Sequence, residues 1–484
     1  MTAETQPPHR HARRSRGVRA TPRFATFAVA ALGSLSSVAC QPTPRVDLDA
    51  SRRAGDAVGQ GTPIALVVVG PDGGPLDEPA PTESSLTLAD AIGRAVTTDP
   101  ALQAALARVR VAMADADQAR LLPNPVLNFV LRWGPGTPQY EISLAQDFVQ
   151  AIAIPRRSSA ADNRAREAAS AAIETALDVA NEVRERYVAV QASERLIPLL
   201  RARIELLERL VSVAQARLDA GEGTRGDLTT LQAQRVDLLV DLDRAVLAER
   251  EDRLRLALLV GQPSSAADWS LDPWVAPSAD LAPESAWILA ALAHRPEIES
   301  VRWKLSALGD DAALARITPW DGANVGVDAQ NDSEWFVGPS VSSPIPVFDT
   351  GQAKLARATA EQLEARHELT LARRTVVEEV RIAHRTLTAS VANLERIRRE
   401  LVPLQEERSA LAEAAFRAGQ SDVTALFLAE QDLMLTQAKA IEVERQAATA
   451  LARLERAVGG AGIASAVSVS AAASAADPAP SPSP

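Results

Sequence analysis

The stretch Pro125–Phe148, PVLNFVLRWGPGTPQYEISLAQDF, decides the fold. Leu127, Phe129, Leu131 and Trp133 alternate with Asn128, Val130 and Arg132. After the Gly134-Pro135-Gly136 turn, Tyr140, Ile142, Leu144 and Phe148 alternate with Glu141, Ser143, Ala145 and Asp147. A period of two on either side of such a turn predicts a strand hairpin. The plan returns over about 323–345, where Val325, Val327 and Ala329 alternate with Asn324, Gly326, Asp328 and Gln330, and Trp335, Val337 and Val341 with Gly338, Ser340 and Ser342. Each strand is near the roughly 9 to 11 residues that cross a bilayer at a tilt. Eight of the 17 aromatic residues fall within 125–150 and 318–348, among them Trp133, Tyr140, Trp320 and Trp335, as expected of rings at membrane interfaces. Open strand edges are not tolerated in lipid, so four strands predict a barrel only if several chains share it.

Outward from the hairpins, the chain is a duplication. A shift of 196 places Asp99-Pro100 on Arg295-Pro296, Ala119-Arg120 on Ala315-Arg316 and Pro123 on Pro319. Each copy opens with a helical pattern, about 86–121 and 283–317, that stops at a proline. After each strand pair comes a long helical stretch, about 157–219 and 351–417, and then a shorter one, about 227–260 and 421–459. Some sixty residues of helix span roughly 90 Å, the length of a strut. Ile197, Leu200, Ile204, Leu207, Val211, Ala214 and Leu218 in one strut, and Leu394, Ile397, Leu401, Leu404 and Leu411 in the other, step by threes and fours as a coiled-coil seam does. Pro198 and Pro403 predict a kink or break in each strut. The turns match too: Ala220-Gly221-Glu222-Gly223-Thr224-Arg225-Gly226-Asp227 and Ala418-Gly419-Gln420-Ser421-Asp422-Val423-Thr424 pair a helix-ending glycine with a residue able to cap the next helix. Each copy therefore makes one antiparallel hairpin tip, at about 219–227 and 417–424.

The composition agrees. Hydrophobic residues are 46% of 484 but aromatics only 4%, which suits long, closely packed helices. The net charge of −11 gives no clustered positive field and sets nucleic-acid binding aside. Six arginines between Arg10 and Arg23, then the apolar run Phe24 to Ala39, have the order of a secretory signal over 1–39. Beyond it no apolar run approaches the ~18 residues of a membrane helix. Cys40, the single cysteine, excludes an intrachain disulfide. Following Ser37-Val38-Ala39, it resembles the acylated first residue of a bacterial lipoprotein, with Gln41 rather than Asp next and hence no inner-membrane retention implied. Residues 40–85 read as a linker with one apolar island, Ile64 to Val69, and the Ala-, Ser- and Pro-rich segment 460–484 as a disordered tail.

Two copies of helix, strand pair, very long helix, glycine turn and helix, over 86–270 and 271–459 and behind a lipobox, resemble the TolC-like outer-membrane efflux family. The residues that carry the resemblance are Leu86-Thr87-Leu88-Ala89-Asp90-Ala91, Asp99-Pro100, Pro344-Ile345-Pro346-Val347-Phe348-Asp349-Thr350-Gly351 and Arg217-Leu218-Asp219-Ala220-Gly221, within about 85–459. The resemblance implies a mainly α chain with a small transmembrane β part, and a homotrimer whose twelve strands form one outer-membrane barrel on a twelve-helix periplasmic tunnel. A periplasmic adaptor and an inner-membrane pump would dock at the tips. By position, Arg217, Gly221, Thr224, Arg225 and Asp227, with Arg417, Gly419, Ser421, Asp422 and Thr424, become candidates for gating or adaptor contact, beside the plainer role of solvated charges and helix caps. Arg417 stands two residues before Gly419, whereas Arg217 stands four before Gly221.

Catalytic material is lacking. His294, His367 and His384 of the mature chain have no metal-ligand spacing, no cofactor is expected beyond lipid at Cys40, and the pairs Asp310-Asp311 and Glu378-Glu379 read as helix surface. The competing readings are a lipoprotein adaptor, which would carry one hairpin rather than two, and a coiled-coil scaffold, which would not need amphipathic strands. Gln146-Asp147-Phe148 followed by Pro155-Arg156-Arg157 resembles the heavy-metal-efflux branch and leans the substrate toward metal cations over drugs.

Overall fold

The computed structural model describes residues 49–75, 85–136, 138–275, 281–332 and 334–476. The signal segment, Cys40 and parts of the linker and tail lie outside these residues.

A short helix α1 (Ala50–Ala57) precedes the first repeat. That repeat runs β1 (Ser85–Leu86), α2 (Leu88–Thr98), α3 (Pro100–Ala119), β2 (Val126–Arg132), β3 (Gln139–Asp147), α4 (Phe148–Asp219) and α5 (Arg225–Leu259). The second runs β4 (Ser270–Leu271), α6 (Glu284–His294), α7 (Pro296–Ala315), β5 (Asn324–Asp332), β6 (Glu334–Ser342), α8 (Gln352–Arg396), a π segment (Ile397–Leu401), α9 (Val402–Arg417) and α10 (Val423–Ala457). A last helix, α11 (Ala461–Ala476), follows. β2, β3, β5 and β6 form one antiparallel sheet in that order, and β1 pairs with β4 in parallel, joining the two repeats at their starts.

Several sequence expectations are corrected. The opening helical pattern of each copy is two helices, because Pro100 and Pro296 each begin a new one; Asp99 caps α3 by accepting the Leu102 N–H at 2.8 Å. The first strut starts at Phe148, on an Asp147 cap, and its 72 residues run through Pro198 as unbroken helix, roughly 108 Å long. The seam residues Ile197, Leu200 and Ile204 on either side of that proline are buried and keep the helix in register. In the second strut Pro403 is met by the π segment instead. Residues 461–476, expected within a disordered tail, are helical: Ala464 is buried, with Ile463 and Val467 against the second-repeat core.

That core and its counterpart restate the duplication. Ala91, Ala95 and Leu102 are buried in one, and Trp287, Ala291 and Ile298, each 196 residues later, in the other. A third core lies toward the tips, where Leu200 to Ala214 of α4 and Leu228 to Leu238 of α5 meet Val423, Leu426, Phe427 and Met434 of α10. Asp310, expected on the surface, is 7% exposed and bonded to Arg156 at 3.0 Å and to Asn163. α7 packs lengthwise on α4, and adjacent helical residues diverge, so one of the Asp310-Asp311 pair turns inward.

Candidate functional site

Two regions carry chemistry: the sheet and the hairpin tips. In the sheet, Phe129 stands opposite Ile142, Ile142 opposite Ala329, and Ala329 opposite Val337. Since alternate residues share a face, this register gathers Leu127, Phe129, Leu131, Tyr140, Ile142, Leu144, Val325, Val327, Ala329, Trp335, Val337 and Val341 on one side. Among the described residues that face holds no charge. Many of its side chains are open, Phe129 at 60% and Val341 at 73% exposure. The other face holds Asn128, Ser143, Gln330 and Ser340 with Glu141, Asp147, Asp328 and Glu334, interspersed with Val126, Val130 and Phe336, and among the described residues its one cation is Arg132, paired to Glu141 at 2.8 Å. Tyr140 and Trp335 occupy one row near the β2–β3 turn, while Phe148 and Trp320 lie at the opposite end, about 26 Å away along β3.

The two tips end alike. The Glu222 N–H donates to the Arg217 carbonyl at 2.8 Å and the Gln420 N–H to the Ala415 carbonyl at 2.9 Å, with Gly221 and Gly419 at φ 78° and 69°. Both are glycine-terminated helix ends. Thr224 and Asp227 form a reciprocal capping box at the start of α5. Asp422 accepts the Val423 N–H at 2.6 Å and the Thr424 hydroxyl at 3.0 Å. A cavity of about 400 Å³ lies between the tips, lined by Arg217, Thr224 and Asp227 from the first and Gly419, Ser421 and Asp422 from the second. Gly221, Arg225, Arg417 and Thr424 do not line it, and Arg417 pairs with Glu413 one turn back. The different offsets of Arg217 and Arg417 from their glycines thus have a structural counterpart. Glu222, Gly223 and Gln420 also line the cavity; their place in the matching turns was the available signal.

Between sheet and tips, Arg295, 3% exposed, bonds Glu297 at 2.8 Å, Glu379 at 2.6 Å and the Ala457 carbonyl at 3.1 Å. Arg456 reaches Asp178 at 2.5 Å, Glu297 at 3.2 Å and Glu379 at 3.5 Å. Glu174 sits beside this group, and burial, followed by the nearby charges of Glu297 and Asp178, pushes its carboxyl up to about 7. Burial likewise pushes Tyr187 up to about 12; its hydroxyl donates to the Leu86 carbonyl at 2.8 Å and accepts the Asp272 N–H at 2.7 Å. These contacts tie α4 to the junction of the repeats. Periodicity could not locate Arg295, but its opposite charge at the position matching Asp99 was a visible departure between the copies. Among the described residues no helix is long and apolar enough to cross a membrane, and no three His, Cys, Asp or Glu side chains are placed to hold a metal ion.

Residues 287–460 match the family described as outer membrane efflux protein. The cobalt-zinc-cadmium resistance protein CzcC of Cupriavidus metallidurans is 24% identical over 392 residues, covering 79% of this chain and 92% of that protein. Among solved structures, the outer-membrane channel OprN is similar with a TM-score of 0.66 at 18% identity, covering 78% of this chain and 90% of that one. The outer membrane protein VceC of Vibrio cholerae is similar with a TM-score of 0.65 at 19% identity, covering 77% and 96%.

Proposed function

We propose that this chain, whose residues 287–460 match the family described as outer membrane efflux protein, is one of three identical subunits of a passive outer-membrane channel that conducts cations outward. The observation that carries the reading is the two-faced sheet above helical struts. Each large apolar side chain left in water forfeits about 1.5–3 kcal/mol relative to burial, so a continuous uncharged face calls for lipid on that side. The polar face is then the lumen, and because four strands leave two open edges, other copies must complete the ring.

The acidic excess of the polar face supports cations: among the described residues Asp147, Asp328 and Glu334 face no partner charge there, as Glu141 faces Arg132. Threefold repetition multiplies that excess. Similarity to a protein named for cobalt, zinc and cadmium resistance points the same way. In this reading the energy comes from partners: an inner-membrane pump and a periplasmic adaptor engaging the tips at Arg217, Thr224, Arg225, Asp227, Ser421 and Asp422. Acylation of Cys40 adds an anchor in the same membrane.

The test is the mass of detergent-extracted protein from outer-membrane fractions, followed by its reversal potential in planar bilayers under a salt gradient. An acylated trimer with cation-selective current supports the reading; a soluble monomer overturns it. Anion selectivity would overturn the substrate class alone. Cys40→Ala should abolish lipid labelling, and label that persists would exclude the anchor.

A further inference from the structure

The apolar face of the sheet does not stop where the strands do. β3 ends at Asp147, but the Phe148 N–H still donates to the Ala323 carbonyl at 3.2 Å, so Phe148 keeps the alternation of the strand and falls on the uncharged side with Ile142 and Leu144. α4 starts at that residue, and positions four apart share a helix face. Phe148 is therefore continued downward by Ile152, 69% exposed, and then by Arg156, whose side chain is 65% exposed. A rise of 1.5 Å per residue sets Ile152 about 6 Å and Arg156 about 12 Å below Phe148. At the same end of the sheet the loop from Pro344 to Gly351, which follows β6, leaves Ile345, Val347 and Phe348 open, Phe348 at 94%. Arg316 closes α7 there, next to the Ala315 carbonyl that lies against Gly351, exposed and without an ion-pair partner among the described residues.

Going down from the sheet, the sequence of surfaces is apolar strands, one apolar helical turn and loop, then cations. A bilayer presents the matching layers, hydrocarbon and then a headgroup region roughly 5 to 8 Å deep on each side. Helical side chains lean toward the helix N-terminus, which for α4 is the sheet end, so Arg156 reaches back toward that layer. The carboxylates of this level are turned elsewhere. Asp147 belongs to the polar face of the sheet, and Asp321 accepts Gln150, which stands about 200° around α4 from Ile152. Asp310 is buried beneath Arg156, and Asp349 accepts the Gly351 N–H at 2.8 Å.

We propose that the junction below the sheet is a docking surface for anionic phospholipid: Ile152 and the loop at Ile345, Val347 and Phe348 enter the acyl layer of the periplasmic leaflet, and Arg156 and Arg316 hold headgroup phosphates beneath it. Continuity with the uncharged sheet face and the opposite charge of the headgroups select lipid over a second copy of this chain, whose cover would bury the unpaired Arg316 at a cost in desolvation. The inference rests on the channel reading above.

The experiment reconstitutes the full-length protein in vesicles of phosphatidylethanolamine and phosphatidylglycerol, extracts it again, and weighs it with the lipid it keeps by native mass spectrometry. Phosphatidylglycerol should be retained over phosphatidylethanolamine, and R316Q should lower that preference about fivefold. R156Q/D310N, in which the buried carboxylate loses its charge together with its partner, should do the same, whereas R156K should keep the preference. R201Q/R209Q, the same change of charge on exposed residues of α4 far toward the tips, should leave it unaltered. A preference unmoved in both R316Q and R156Q/D310N, or lost equally in R201Q/R209Q, overturns the headgroup site. A nitroxide on Phe348→Cys, with the chain whose single cysteine is Cys40 as the blank, should be open to oxygen and shielded from a nickel chelate. Shielding from both would mean that a second copy covers the loop, and access to nickel that water does; either overturns the proposal, and this readout needs neither arginine variant to fold. Protein that stays out of the vesicles overturns the channel reading and this one with it, while protein that inserts and conducts but keeps the two lipids alike overturns this one alone.

Discussion

Asp99 and Arg295 stand at matching positions of the two repeats, each directly before a proline that starts a helix. The aspartate spends its carboxylate locally, capping α3. The arginine reaches across the molecule to Glu379 of α8 and the Ala457 carbonyl at the end of α10. One substitution between copies therefore converts a cap into a joint. Four carboxylates, Glu174, Asp178, Glu297 and Glu379, surround Arg295 and Arg456, and the proton held by Glu174 relieves part of that excess. Because the folded protein keeps this proton up to about pH 7 and the unfolded chain releases it near 4.5, the stability it contributes is full below 4.5 and lost as pH rises through about 7. Glu174→Gln keeps a neutral side chain at every pH. Thermal unfolding at pH 5 and pH 8 should therefore show a smaller loss of Tm on alkalinisation in the variant than in the wild type, and equal losses would exclude this account.

Helices and strands were legible in the sequence where period decided them. The alternation around Phe129, Ile142, Ala329 and Val337 placed the strands, and the glycines at 221 and 419 placed the tips, because both signals are local. What escaped was set by tertiary contact. Pro198 and Pro403 look alike in sequence, yet one lies in unbroken helix and the other follows a π turn. Asp310 reads as a surface residue until α7 is laid against α4, and Glu379 and Ala457, which Arg295 reaches, and Arg398 and Arg195, which Glu444 accepts, are far away in the chain. Composition also misled at the end of the chain. An Ala- and Ser-rich segment lacks a strong apolar stripe, but Ile463, Ala464 and Val467 suffice once the surface of α6 and α10 is there to receive them. Gly460 allows the approach: a Cβ there would lie 2.1 Å from the Ala57 carbonyl oxygen, and its φ is 125°. Truncation after Gly460 should thus cost about 2 kcal/mol through lost apolar burial, read as a lower unfolding temperature of the extracted protein. An unchanged temperature would mean that α11 packs without contributing stability.

At the scale of the whole molecule, the two faces of the sheet make opposite demands that one chain cannot meet. The apolar face must leave water, while the acidic face must keep it, and β2 and β6 each present an unpaired edge. In the proposed channel, closing three sheets into a ring would satisfy all of these together, since edges would pair, apolar side chains would meet lipid and carboxylates would line a wet lumen. Two neighbouring positions of β3 separate the demands. Ile142→Lys places a charge on the apolar face near mid-strand, where a lysine facing lipid costs about 2–4 kcal/mol, so the variant should fail to enter the outer membrane. Ser143→Lys places the same charge on the opposite face, where it should permit insertion and reduce the cation preference of the current. The contrast is informative because the same lysine is introduced at adjacent positions of one strand that face opposite sides of the sheet. If both variants inserted equally well, neither face would lie against lipid, and the sheet would have to be buried against protein.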